Sequence, residues 1–147
     1  MPVRPTDDVA LLIARTRMLP PGDVASWRLP LEPESAARAR ALISAKLSEW
    51  GLDHLAFTTE LIASELVTNV YRYASGPATL RLIRERTLVC EVSDTSHTSP
   101  HLRRARTTDE GGRGLFLVAR MTERWGTRYT REGKTVWTEQ PLAGTFT

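Results

Sequence analysis

The chain has 147 residues, 41% of them hydrophobic and 25% charged, which suits one domain of ordinary size with a real core. No apolar run approaches the ~20 residues of a membrane span, and the acids that precede the short apolar stretch in MPVRPTDDVALLIARTRMLPPGD argue against a signal peptide, so the expected compartment is the cytoplasm. The net charge of +3, from 20 Lys+Arg against 17 Asp+Glu, is too mild to suggest nucleic acid, and the single cysteine, Cys90 in LVCEV, excludes an internal disulfide and reads as a buried structural thiol.

Residues 1–22 read as an extended piece, DDVALLIARTR, closed by a Pro-Pro-Gly break that makes a natural linker. SWRLPL, 26–31, reads as a short strand. Glu32-Pro33-Glu34-Ser35 carries the proline and the acids of a helix start. That helix runs through AARARALISAKLSEW and stops at Gly51, placed to take the left-handed conformation after the last turn. A second helix covers about 54–74, with Ile62, Leu66, Val70 and Tyr73 on one stripe, and SGP at 75–77 ends it. ATLRLIR, 78–84, and TLVCEVS, 87–93, form a hairpin about Glu85-Arg86.

Next come about twenty polar and small residues, DTSHTSPHLRRARTTDEGGRG, 94–114; so long a stretch without core residues is usually functional or disordered. LFLVARMTERW, 115–125, reads as a third helix with Leu115, Val118 and Met121 on one face. WGTRYT and TVWTEQ then flank REGK as a second hairpin, with Gly133 in the turn. The order predicts an α+β fold, a two-layer α/β sandwich whose mixed, mostly antiparallel sheet carries helices on one face. The domain proper is expected at 23–142, between the segment 1–22 and a tail, 143–147.

Four groups of residues carry chemistry. Glu65 and Asn69, at i and i+4 on the second helix, project side by side. A carboxylate beside an amide oxygen can hold a hard cation, or the amide can bind metal while the carboxylate polarises a hydroxyl; a solvated helix edge is the alternative. Asp94, at a strand end, can accept from a ligand amino group or simply shape a turn. Gly112, Arg113 and Gly114 in GGRGL precede a helix start, where free N–H groups, permissive backbone and a guanidinium suit phosphate. Thr135 in GKTVW can reach a ligand from its strand, or be an ordinary β-branched strand residue.

In order and spacing these pieces resemble the ATP-binding domain of the GHKL superfamily, which includes gyrase-type ATPases, Hsp90-type chaperones, histidine kinases and anti-sigma-factor serine kinases. Glu65 to Asn69 resembles the N box, Asp94 the adenine-reading aspartate, 97–110 the ATP lid, Gly112 to Gly114 the second glycine box, and Thr135 the late threonine near the nucleotide. The likeness spans about 26–140. It is nearest to the anti-sigma-factor type. Asp94-Thr95-Ser96-His97-Thr98 lacks the glycines usual in histidine kinases, and ELVTN, Pro100 and GKTVW fit the anti-sigma pattern. Many relatives have histidine where this chain has Tyr73.

The resemblance implies an ATP- and Mg²⁺-dependent protein serine/threonine kinase. Asn69 binds the metal, Glu65 acts as general base on a protein hydroxyl, Asp94 accepts from the adenine amino group, and Gly112, Arg113 and Gly114 hold phosphates. It further implies a STAS-domain anti-anti-sigma substrate and a sigma factor as sequestered partner, and it allows a homodimer. A non-catalytic module in which nucleotide only sets the surface is the alternative. Nucleic-acid binding through HLRRAR, 101–106, is disfavoured because these arginines fall inside the expected lid. TDDVALLIARTR resembles the last strand of sporulation-type metal-dependent phosphatases, with Asp7 at a metal-ligand position. This implies the kinase-like end of a longer phosphatase–kinase regulator, against an ordinary flexible arm.

Overall fold

The computed structural model describes residues 19–74, 76–95 and 117–143. Its strands are β1 (Val24–Leu29), β2 (Ala78–Arg84), β3 (Thr87–Asp94), β4 (Arg124–Thr130) and β5 (Gly133–Pro141), and its long helices are α1 (Ser35–Glu49) and α2 (Ala56–Tyr73). The strands form one sheet in the order β1-β2-β3-β5-β4. Every neighbouring pair in it is antiparallel, so the described sheet is not mixed.

Why α1 stops is visible in its last hydrogen bonds. Gly51 sits at φ 72°, Leu52 N donates to Leu47 O at 2.7 Å, and Gly51 N donates to Ser48 O at 3.0 Å. These are the paired bonds of a Schellman end, which satisfy carbonyls that the helix itself leaves open. Along α1, Ala39, Ile43 and Leu47 fall at four-residue intervals and are fully buried. On α2 the stripe Ile62, Leu66, Val70 is equally buried. The two helices pack on each other, and α2 lies on β3. Each large side chain buried there contributes about 1.5–3 kcal/mol.

The pleat of the sheet decides what meets the helices. Leu88, Cys90 and Val92 of β3 and Val136 of β5 lie in the core that α1 and α2 cover. In that setting burial pushes the Cys90 thiol up to about 12, which agrees with a structural thiol rather than a reactive one. The alternate residues face the helix-free side. There Glu91 is buried between two arginines, accepting from Arg81 at 3.2 Å and from Arg128 at 3.1 Å.

Two boundaries differ from expectation. The strand expected at 26–31 runs over Val24–Leu29 instead, because its partner β2 offers a full register from Ile83 to Ala78 and Pro30 has no N–H to continue the ladder. The helix expected at 115–125 is helical, among the described residues, only over 117–121. It cannot continue because Glu123 N already donates to Glu139 O at 2.8 Å. From Arg124 onward the chain is β4, with the Arg124 guanidinium on the Glu139 carboxylate at 3.0 Å. Residues 1–18 of the expected N-terminal segment and 144–147 of the tail lie outside the described residues.

Candidate nucleotide site

The site is built on the end of the layer pair towards which α2 and β3 both run. One buried bond sets the alignment: Thr59 Oγ1 donates to Gln140 Oε1 at 2.9 Å, and Gln140 is paired with Leu88 at the start of β3. From that anchor Asn69 is ten residues along α2, about 15 Å at helical rise. Asp94 is six residues along β3 from Leu88, about 20 Å at strand rise. With α2 lying on β3, Asn69 and Asp94 come to the same end of the interface.

Asn69 is only 4% exposed, and its Oδ1 is buried without a hydrogen-bond partner. An unmet buried carbonyl costs about 1–3 kcal/mol, so its persistence calls for a ligand or a water. One turn earlier, Glu65 is half-buried. Its carboxyl is pushed above the ordinary glutamate range by burial, against a smaller downward pull from the Arg72 charge. A raised carboxyl moves towards the range where a general base works near neutral pH.

Asp94 closes β3. It alternates with Val92 and Cys90 and therefore points to the helix side. Directly across the ladder stands Lys134, whose Nζ donates to Asp94 Oδ2 at 3.0 Å; both side chains are 1% exposed. Gly133 permits this close approach. Its φ is 153°, and a Cβ there would run into the carbonyl oxygen of Asp94. Thr135, one step further, points to the helix-free side. Its Oγ1 lies 2.6 Å from Ser93 Oγ, and it lines a cavity of about 400 Å³ whose walls also include Arg28, Ser93, Asp94 and Lys134.

The structure thus directs Asn69 and Asp94 towards the same end of the α2–β3 interface, with Glu65 one turn before Asn69, and places Thr135 on the other face of the sheet. It brings Lys134, which the sequence reading passed over, to the Asp94 carboxylate. The signal was available: the chain has only two lysines among its 20 basic residues, and one of them directly follows the turn glycine of a strand that ends beside Asp94. Gly112, Arg113, Gly114, the expected lid at 97–110 and the HLRRAR cluster lie outside the described residues.

The donors fit a hard cation held mainly by something other than protein. Among the described residues no three His, Cys, Asp or Glu side chains converge on a metal position. Mg²⁺ commonly takes one or two protein oxygens together with water and substrate phosphates, and the orphaned Asn69 oxygen is of the kind that fits such a cation. No helix among the described residues is long and apolar enough to cross a membrane.

The chain thus lays a helix bearing an acid and an orphaned amide on an antiparallel sheet whose strand end carries a buried aspartate. Over residues 29–139 the sequence matches the histidine kinase-like ATPase domain, and the chain belongs to that family. No protein of curated function matches the sequence. The fold is similar to the crystal structure of the RsbU and RsbW domains of Rv1364c from Mycobacterium tuberculosis, with a TM-score of 0.58 at 17% identity, over 80% of this chain and 32% of that one. The chain therefore spans about a third of the length of that protein.

Proposed function

We propose that this ATPase-type domain is a protein serine/threonine kinase of the anti-sigma-factor kind, which binds ATP with Mg²⁺ and phosphorylates a STAS-domain partner. The observation that carries the reading is Asn69, a buried amide oxygen without a partner, one helical turn from a glutamate whose carboxyl is raised by burial. When bound, Mg²⁺ supplies charge neutralisation at the phosphates. Asn69 offers it one oxygen. Glu65 accepts the proton of the incoming serine or threonine hydroxyl as that oxygen bonds to the γ-phosphorus and ADP leaves. Gly112, Arg113 and Gly114 hold phosphate oxygens. A sigma factor is the partner that the domain sequesters, and residues 1–22 are the end of a preceding phosphatase-type domain, which a reading frame running upstream of Met1 tests.

Incubation with labelled ATP, Mg²⁺ and a STAS domain encoded nearby tests the kinase. Label appears on the partner and is lost with Glu65→Ala. Nucleotide binding without transfer gives the second reading, a regulatory module whose surface responds to nucleotide. One observation favours that reading: the Asp94 carboxylate is already engaged by Lys134.

A further inference from the structure

The base end of the site has an occupant of its own. A carboxylate that recognises adenine does so by accepting from an amino group. Here the Lys134 ammonium, itself a nitrogen donor, stands at 3.0 Å from Asp94 Oδ2. We propose that Lys134 replaces the base amino group permanently, so that this chain takes nucleoside triphosphates by their phosphate and metal end without selecting the base. The inference rests on the nucleotide reading of the site and deepens it.

Three observations support it. The pair is buried, with both side chains 1% exposed, so neither charge is well placed to exchange its partner for bulk water. Lys134 has nowhere apolar to retreat to. The same face of β5 continues into Val136, part of the core, and an ammonium moved there would be a buried charge without a counter-charge, a far costlier state than the pair. The third is the choice of cation. In a chain whose basic residues are arginine except at two positions, the buried one is a lysine. A compact point charge with three donors can sit where an amino group sits, whereas a planar guanidinium is too broad. The backbone is shaped to the same end, since Gly133 lets β5 close on the carbonyl of Asp94.

A ligand amino group therefore meets a carboxylate whose Oδ2 already holds a donor and whose side chain is almost wholly buried. An amino-purine and an oxo-purine arrive at the same surface, and neither gains a hydrogen bond that the other lacks.

Calorimetric titration of Mg·ATP, Mg·GTP and Mg·tripolyphosphate into the wild type and Lys134→Thr tests this. The wild type is expected to bind ATP and GTP within about threefold of each other, a difference of well under one hydrogen bond. Lys134→Thr, which returns Asp94 to the ligand, is expected to prefer ATP by about tenfold to a hundredfold, the worth of a hydrogen bond to a charged acceptor. Selective ¹⁵N labelling of the two lysines gives a second readout that needs no variant. The buried Lys134 ammonium should give a slowly exchanging signal distinct from that of the more exposed Lys46, and it should persist unshifted at saturating Mg·ATP. A wild type that already prefers ATP more than tenfold, or a Lys134 signal that vanishes or moves on binding, overturns the inference and leaves the nucleotide reading standing. Absence of binding by all three ligands to both proteins overturns the nucleotide reading, and the inference with it.

Discussion

Removing Lys134 alone should be among the most destabilising single changes in the chain, and removing Asp94 as well should undo much of the damage. Lys134→Met keeps the length of the stem and deletes the charge, which leaves the Asp94 carboxylate in a place that water does not reach. Breaking a buried pair from one side costs about 3–5 kcal/mol, because the surviving charge stays desolvated. Over the 147 residues of the chain the unfolding entropy is on the order of 0.3 kcal/mol/K, so the loss corresponds to a fall in Tm of roughly 10–16 °C. Lys134→Met combined with Asp94→Asn removes both charges and leaves only an imperfectly bonded amide, at about 1–3 kcal/mol. Urea unfolding of the wild type, both singles and the double, followed by circular dichroism at neutral pH, yields the coupling directly. A Lys134→Met cost below about 1 kcal/mol, the range of a surface ion pair, would refute the claim that the base end is buried. A double variant as unstable as the sum of the singles would refute the claim that the two charges depend on each other.

Three further outcomes follow from the same geometry. Asn69→Ala should abolish stabilisation by Mg·ATP in a thermal-shift assay, while its effect on the free protein stays small because removing an unmet buried oxygen and the better helix propensity of alanine offset the cavity left behind; a variant that Mg·ATP stabilises as much as the wild type would show that the oxygen holds no metal. For Glu65 the folded carboxyl is raised above its unfolded value, so its contribution is fully present at low pH and is lost as pH rises through the folded titration. Glu65→Gln should thus gain stability over the wild type as pH rises from acid to neutral, and parallel urea midpoints for the two proteins across that window would contradict the burial argument. Gly133→Ala should cost about 2–4 kcal/mol, combining the strained φ of 153° with a Cβ against backbone. It should weaken amide-exchange protection first at the Asp94 to Lys134 end of the β3–β5 ladder, and loss spread evenly over the sheet would argue against a local clash.

Much of the layer structure was legible because it rests on short-range patterns. The stop of α1 needed only Gly51, the stripe of α2 only its spacing, and the β2–β3 hairpin only alternation about Glu85-Arg86. The end of the helix expected over 115–125 was misread for the opposite reason. Leu115, Val118 and Met121 carry a helical period, yet what ends the helix is a partner distant in sequence, since β5 draws Glu123 and Arg124 into the sheet through Glu139. The site divides in the same way. Glu65 and Asn69 share one helix, so their side-by-side placement could be read from spacing alone. Thr135 and Lys134 are adjacent, and only the register that sets Lys134 opposite Asp94 decides which of them faces the helices. A pleat reverses with every residue, so a motif located to within one position on a strand leaves the side chain's face undecided.

The two ends of the site stand in contrasting electrostatic states, and this bears on where ligand affinity can arise. At the Asn69 end a buried oxygen lacks a partner and a half-buried carboxyl resists ionising, so a cation bound there, as proposed, would gain what the empty protein leaves unmet. At the Asp94 end the lysine already supplies a donor to the carboxylate, and a ligand must offer more than it displaces. Binding energy that comes from the metal and phosphates is common to every nucleoside triphosphate. It is also the part that reports whether a γ-phosphate is present. If Asn69 anchors the metal and Lys134 occupies the base end, as proposed, such a domain senses the phosphorylation state of a nucleotide better than the identity of its base, whether or not Glu65 moves a proton.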